Sequence, residues 1–189
     1  MSNRILLDTT SYLRLACTID PLLRRPFGRN SNELFVLPEL DREFRGNPRL
    51  RNDFPWVTEA SYAQNRKEAQ LIMRGAQQED VDRALEIMTR TAEIAGNGVS
   101  PIDIKCLACG YVLNIIVVTD DSDMLSLAEE FRVQSLTSLG LLKRMLDESY
   151  KTPKQIEDIV KYWIYANDLP ANWRSQYLEL FRREPPMGL

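Results

Sequence analysis

The sequence predicts an α/β protein on a mostly parallel sheet, extended by helices at its C-terminal end. Three observations lead there. Short apolar runs at Ile5–Leu7, Leu34–Leu37, Ile115–Thr119 and Val133–Leu136 alternate with longer stretches of helical periodicity, the order expected of parallel strands joined by crossover helices. Ile115–Thr119 is β-branched throughout, as in a strand covered on both faces. From Lys151 onward the strand pattern stops and only amphipathic helices remain.

The elements follow in order. Ile5-Leu6-Leu7 reads as a buried strand ending at Asp8, Thr9-Thr10-Ser11 are helix-start residues, and Tyr12, Leu13, Leu15 and Ala16 suit a helix. Pro21, Pro26 and Gly28 make 20–33 a loop before the strand Leu34–Leu37. Pro38 opens a helix carrying Glu39 and Glu43, which Gly46-Asn47-Pro48 stops or bends. Residues 49–98 are expected to be mostly helical, interrupted at Pro55-Trp56. Within them Val81, Leu85, Met88 and Ala92 share one face of a helix over Glu79–Ala95, ended by Gly96-Asn97-Gly98. Ser100 caps the next helix, Pro101 takes its first position and Asp103 complements its dipole; it runs to about Leu113. Asp120-Asp121-Ser122-Asp123 then leads from the Ile115–Thr119 strand into a helix over Met124–Phe131, and Leu139–Leu146 forms another after the Val133–Leu136 strand. In the tail, Thr152-Pro153 caps a helix with the face Ile156, Ile159, Val160, Trp163 and Ile164, and Pro170 separates it from Trp173–Phe181.

Composition narrows the chemistry. A chain of 189 residues suits one domain with an appendage. Hydrophobic residues at 44% and charged residues at 27% exclude disordered and fibrous classes. A net charge of −3 excludes a basic nucleic-acid coat protein, so any nucleic acid must be held by a local patch. There is no histidine, which removes the commonest general base and transition-metal ligand and every Ser-His or Cys-His pair. Cys17, Cys106 and Cys109 form no disulfide framework, and the Cys106/Cys109 pair reads as two small buried residues on a helix. No signal-like apolar segment follows Met1, and the longest apolar run, Tyr111–Val118, is broken by Asn114 and too short to span a bilayer. A soluble, cytoplasmic protein without membrane contact is expected.

What remains is carboxylate. Ligands of an open parallel sheet bind beyond the carboxyl ends of its strands. Asp8 ends the first strand, Asp121 and Asp123 follow the Ile115–Thr119 strand, Asp103 opens the helix before it, and Glu39 and Glu43 lie one helical turn apart after the second strand. Each acid also has a structural role open to it: Asp8 and the 120–123 acids as helix caps, Asp103 against a dipole, Glu39 and Glu43 facing water. Gathered on one rim, they would repel unless a multivalent cation joined them, and hard carboxylates without imidazole select Mg²⁺ or Mn²⁺. Arg42, Arg45, Arg49 and Arg51 follow the acidic helix, and Arg24, Arg25 and Arg29 lie near the first. They suit either a solvated surface or a phosphate-holding rim. Trp56 and Tyr62 fit the core better than base stacking.

Ile5-Leu6-Leu7-Asp8-Thr9-Thr10, Pro38 to Glu43, Ser100-Pro101-Ile102-Asp103 and Val118-Thr119-Asp120-Asp121-Ser122-Asp123-Met124, closed by Leu136-Thr137-Ser138-Leu139, together resemble the PIN-domain nucleases, which include the VapC-type toxins, over about Arg4 to Asp147. The resemblance implies a three-layer α/β/α nuclease domain over 1–148 and a metal-dependent endoribonuclease. The segment 149–189 is then a helical extension that packs on the domain or on a partner. It also implies a role as the toxin of a toxin–antitoxin pair, with an antitoxin partner and a homodimer. Carried over by motif, Asp8, Asp103, Asp121 and Asp123 are the acids, Thr119 is the threonine of Thr-x-Asp-x-Asp, and Asp120 falls in the variable position. Glu43, before Phe44, fits the helix acid better than Glu39, which is held in reserve with Asp123 as a metal ligand. The segment 47–98 is longer than in compact toxins, and the tail is an addition. The competing readings are a haloacid-dehalogenase-type phosphatase, for which Thr10 stands where a second Asp is wanted and Lys105 is poorly placed, and a degenerate nuclease fold that only binds.

Overall fold

The protein is described here by a computed structural model covering residues 3–187. Strands β1 (Arg4–Leu7), β2 (Glu33–Val36), β3 (Ile116–Val118) and β4 (Ser135–Leu136) form one sheet in the order β2-β1-β3-β4. Every pairing is parallel: Leu6 lies opposite Phe35 on one side and Val117 on the other, and Val118 lies opposite Leu136. The chain leaves β1 toward β2 and returns to the other side of β1 as β3. The strand order therefore reverses between β1 and β3, and it is beyond the carboxyl ends at such a point that open parallel sheets bind ligands.

Alternation along the strands splits the core into two layers. Ile5, Leu7 and Val118 pack with α1 (Thr9–Ala16), α2 (Glu39–Gly46) and α8 (Ser138–Asp147). Leu6 and Val117 pack on the other face with α5 (Ala76–Ala95), α6 (Pro101–Leu113) and α7 (Ser122–Glu130). This is the α/β class predicted, as a three-layer α/β/α arrangement. Gly110 sets how closely α6 lies on the sheet: a Cβ there would stand 2.5 Å from Val117 Cγ2 and 2.9 Å from Val133 Cγ1.

The remaining elements are α3 (Pro48–Asp53), a 3-10 turn at Pro55–Thr58, α4 (Ala60–Glu68), α9 (Pro153–Tyr165) and α10 (Trp173–Phe181). The two tail helices pack back onto the domain. Ile156, Ile159, Val160, Trp163, Trp173 and Tyr177 are buried in the same cluster as α1 and α8, and Trp163 Nε1 donates to the Arg14 carbonyl at 3.2 Å. The last two residues of the tail, Gly188 and Leu189, lie outside the described residues. No helix among the described residues is long and apolar enough to cross a membrane.

Several boundaries differ from the sequence reading by a few residues. The first helix begins at Thr9 with Asp8 as its cap, one of the roles open to it in the sequence. The stretch after α4 is not helical: Val36 exchanges backbone hydrogen bonds with Ala69 and Leu71, which covers the open edge of β2. β4 is shorter than Val133–Leu136 because the Val133 amide turns back to the Ala128 carbonyl and closes α7.

Candidate active site

Asp8 stands where β1 ends. Its amide continues the sheet by donating to the Val118 carbonyl at 3.1 Å, and its carboxylate accepts from the Ser11 amide at 2.6 Å, starting α1. The side chain is buried, and that burial pushes its pKa up to about 6, against hydrogen bonds from Thr119 and Ser11; the nearby Asp103 charge pushes the same way.

Thr119, fully buried at the end of β3, ties two acids together. Its hydroxyl acts on the Asp8 carboxylate, lowering its pKa, and its oxygen accepts from the Asp121 amide at 3.1 Å. Asp121 caps α7 by accepting from the Met124 amide at 2.8 Å and is exposed. Asp103 sits in the first turn of α6, where its carboxylate accepts from Ser100 Oγ at 2.7 Å. Burial raises its pKa, the Ser100 bond opposes that, and the Asp121 charge adds to the rise. Asp8, Asp103 and Asp121 thus act on one another beyond the ends of β1 and β3.

The two glutamates of α2 have different partners. Glu43 accepts from the Thr9 hydroxyl at 2.7 Å, one residue from Asp8. Glu39 accepts from Lys105 Nζ at 2.9 Å and lies 3.5 Å from Arg42. Burial works against its charge, but Lys105 prevails and its pKa is lowered. The second Glu39 carboxylate oxygen is buried without a hydrogen-bond partner among the described residues. Asp123 accepts from the Gly98 amide at 3.0 Å, pinning the loop that enters α6.

Asp120 turns the other way. It accepts from the Ser138 amide at 2.9 Å and pairs with the buried Arg14, which also holds Asp168 at 2.7 Å. Among the basic residues, Arg42, Arg45 and Arg51 line one cavity together with Lys67, whereas Arg49 is 90% exposed and 3.6 Å from Asp53. Trp56 packs on Tyr62 and Tyr12 at the core. Cys106 and Cys109 are buried and free.

The sequence reading gave no site role to Thr9, Lys67 or the Arg14–Asp168 link, and named Lys105 only as poorly placed for a phosphatase. Thr9 adjoins Asp8 and so carried a local signal. The others are brought in by contacts across the fold that no spacing displays.

The donor chemistry suits a hard divalent cation: every acid offers carboxylate oxygen, the chain has no imidazole, and the three aspartates repel one another in a way such an ion relieves. As the side chains stand, no three Asp, Glu or Cys groups among the described residues are gathered tightly enough to hold an ion. Gathering three of them around one ion would require side-chain rotation.

No protein-family profile matches the chain, and no curated protein matches its sequence. Among solved structures, it is similar to the crystal structure of FitAcB from Neisseria gonorrhoeae, with a TM-score of 0.48 and 17% identity, covering 71% of this chain and 98% of that one.

Proposed function

We propose that the chain is a PIN-type nuclease, an Mg²⁺- or Mn²⁺-dependent endoribonuclease that hydrolyses RNA phosphodiesters beyond the carboxyl ends of β1 and β3. The observation that carries this reading is that Asp8, Asp103 and Asp121 come together where strand order reverses, with Thr119 bonded to the Asp121 amide and acting on Asp8, and the Asp103 and Asp121 charges acting on their neighbours. Asp8, Asp103, Asp121 and Glu43 would hold the ion, with Glu39 and Asp123 in reserve. When bound, the ion supplies a water of lowered pKa and positive charge for phosphate oxygens.

The chain's own residues do the rest. Thr119 fixes Asp8 relative to Asp121, and Thr9 fixes Glu43. Lys105, beside Glu39, sets a cation on the rim. With no histidine, a carboxylate or the metal itself must manage the proton. The phosphatase reading is weaker, because Lys105 is engaged by Glu39 and Thr10 occupies the place of the second Asp. In the same reading the nuclease is the toxin of a toxin–antitoxin pair, forms a homodimer and is held by an antitoxin. A small protein encoded beside it that co-purifies and blocks cleavage is the corresponding check.

The direct test is incubation of total RNA with Mn²⁺. The wild type should cleave it, and chelation should stop cleavage. Asp8→Asn should keep the fold and lose at least about 100-fold in rate, as Glu43→Gln should, with Glu39→Gln less affected. Undiminished cleavage by folded Asp8→Asn, or turnover of a generic phosphomonoester in place of RNA, would overturn the assignment. Mn²⁺ binding without cleavage of any nucleic acid would mark a binding module.

A further inference from the structure

The cavity lined by Arg42 and Lys67 is separate from the acidic rim. It measures about 560 Å³ and lies between α2, α3 and α4. Helix α2 is the wall between the two. Glu39 and Glu43 share one helical face, and Asp41 and Arg45 lie roughly opposite. Accordingly, Glu39 reaches Lys105 and Glu43 reaches Thr9, while Asp41 and Arg45 face the cavity, with Arg42 on the crest.

Its charge is one-sided. Arg42, Arg45, Arg51 and Lys67 line it, and its one carboxylate, Asp41, is taken by Arg66 Nε at 2.7 Å and Gln70 Nε2 at 3.2 Å. Arg66 is itself buried and committed to Tyr12 and the Val57 carbonyl. Among the described residues no carboxylate lies within ion-pair range of Arg45, Arg51 or Lys67, and Arg42 has only Glu39 at 3.5 Å. A concave surface of uncompensated cations focuses a positive potential, here in a chain of net charge −3.

We infer that this cavity is a phosphate subsite for a nucleic-acid strand that crosses α2 at Arg42 after leaving the acidic rim. The identity of the occupant rests on the nuclease reading. A helix is about 10 Å across, so the phosphate held here is a neighbour of the scissile one. Arginine forks match phosphate oxygens in pairs. The basic rim expected from sequence is redrawn: Lys67 joins it and Arg49 leaves it.

The test is binding of a single-stranded RNA oligonucleotide in metal-free buffer, titrated against salt. Each phosphate contact contributes about 0.7 to the salt slope on single strands. Replacing Arg45, Arg51 and Lys67 together by Gln removes the one phosphate held here, so it should flatten that slope by about 0.7 and weaken binding about fivefold at about 0.1 M salt. All three are exposed, so the fold should persist, which a thermal melt checks. A control lacking Arg83, Arg90 and Lys154, exposed cations elsewhere, should change little. An unchanged slope in the cavity variant, an equal loss in the control, or inorganic phosphate bound as tightly as the oligonucleotide overturns the subsite. The two readings fail separately: RNA cleavage with an unchanged slope removes only the subsite, and a flattened slope without cleavage removes only the nuclease.

Discussion

Asp8 holds a buried carboxylate at the end of β1, and the fold is strained against its charge. Its pKa is about 6 in the folded protein, against about 3.9 in an unfolded chain. The native state therefore binds this proton more tightly, so stability falls as pH rises from about 4 to about 6 and stays lower above. The difference corresponds to on the order of 3 kcal/mol. Asp8→Asn removes the charge, keeps a side chain able to cap α1, and should raise Tm at about pH 7 while matching the wild type near pH 4. Thermal melts across that range check it, and an equal gain at both ends would show another cause. Mn²⁺ should raise the wild-type Tm and leave the Asn variant nearly unmoved, since an ion that binds only the native state stabilises it.

At the scale of elements, two contacts position the acids without belonging to them. Asp120 precedes Asp121 and anchors the start of α7 to α8 through Ser138 and to α1 through Arg14. Asp120→Ala leaves the Arg14 guanidinium buried with Asp168 alone and should cost about 3–5 kcal/mol. Asp168→Ala should cost less, because that carboxylate is 33% exposed. Urea denaturation of both variants separates the two, and equal losses would contradict the difference in burial. Gly110 acts on the other side of the site. Gly110→Ala drives a methyl into Val117 and Val133, which should cost about 1–3 kcal/mol and lift α6, with Asp103, from the sheet. A variant as stable as the wild type would show that α6 has room to shift.

Over the whole molecule, the tail is built into the domain. Trp163 is buried and bonds the backbone of α1, Asp168 completes the Arg14 network, and Trp173 and Tyr177 close over α8. Truncation after Asp147 removes these side chains from the α1 and α8 layer and exposes its apolar face. Burying a single large apolar side chain is worth about 1.5–3 kcal/mol, so losing this many should leave a product that melts without cooperativity or precipitates. Circular dichroism and a dye for exposed apolar surface read this directly. A soluble truncated protein with a sharp melt would show that the tail is an appendage.

Much of this architecture is local in origin and could be read along the chain. The apolar runs of β1 and β3, the Ser100-Pro101 helix start and the Gly96 stop depend on neighbours within a few residues, and from their alternation the α/β class follows. The spacing of Glu39 and Glu43 likewise placed both on one helical face. Tertiary structure decided what those groups meet. It set β1 beside β3, so that Thr119 reaches both Asp8 and Asp121. It also sent Glu39 to Lys105 and Glu43 to Thr9, and paired Asp120 with an arginine 106 residues away. Helical period and capping are properties of adjacent residues, whereas the partner of a buried charge is chosen by which elements pack together, and no local spacing records that choice.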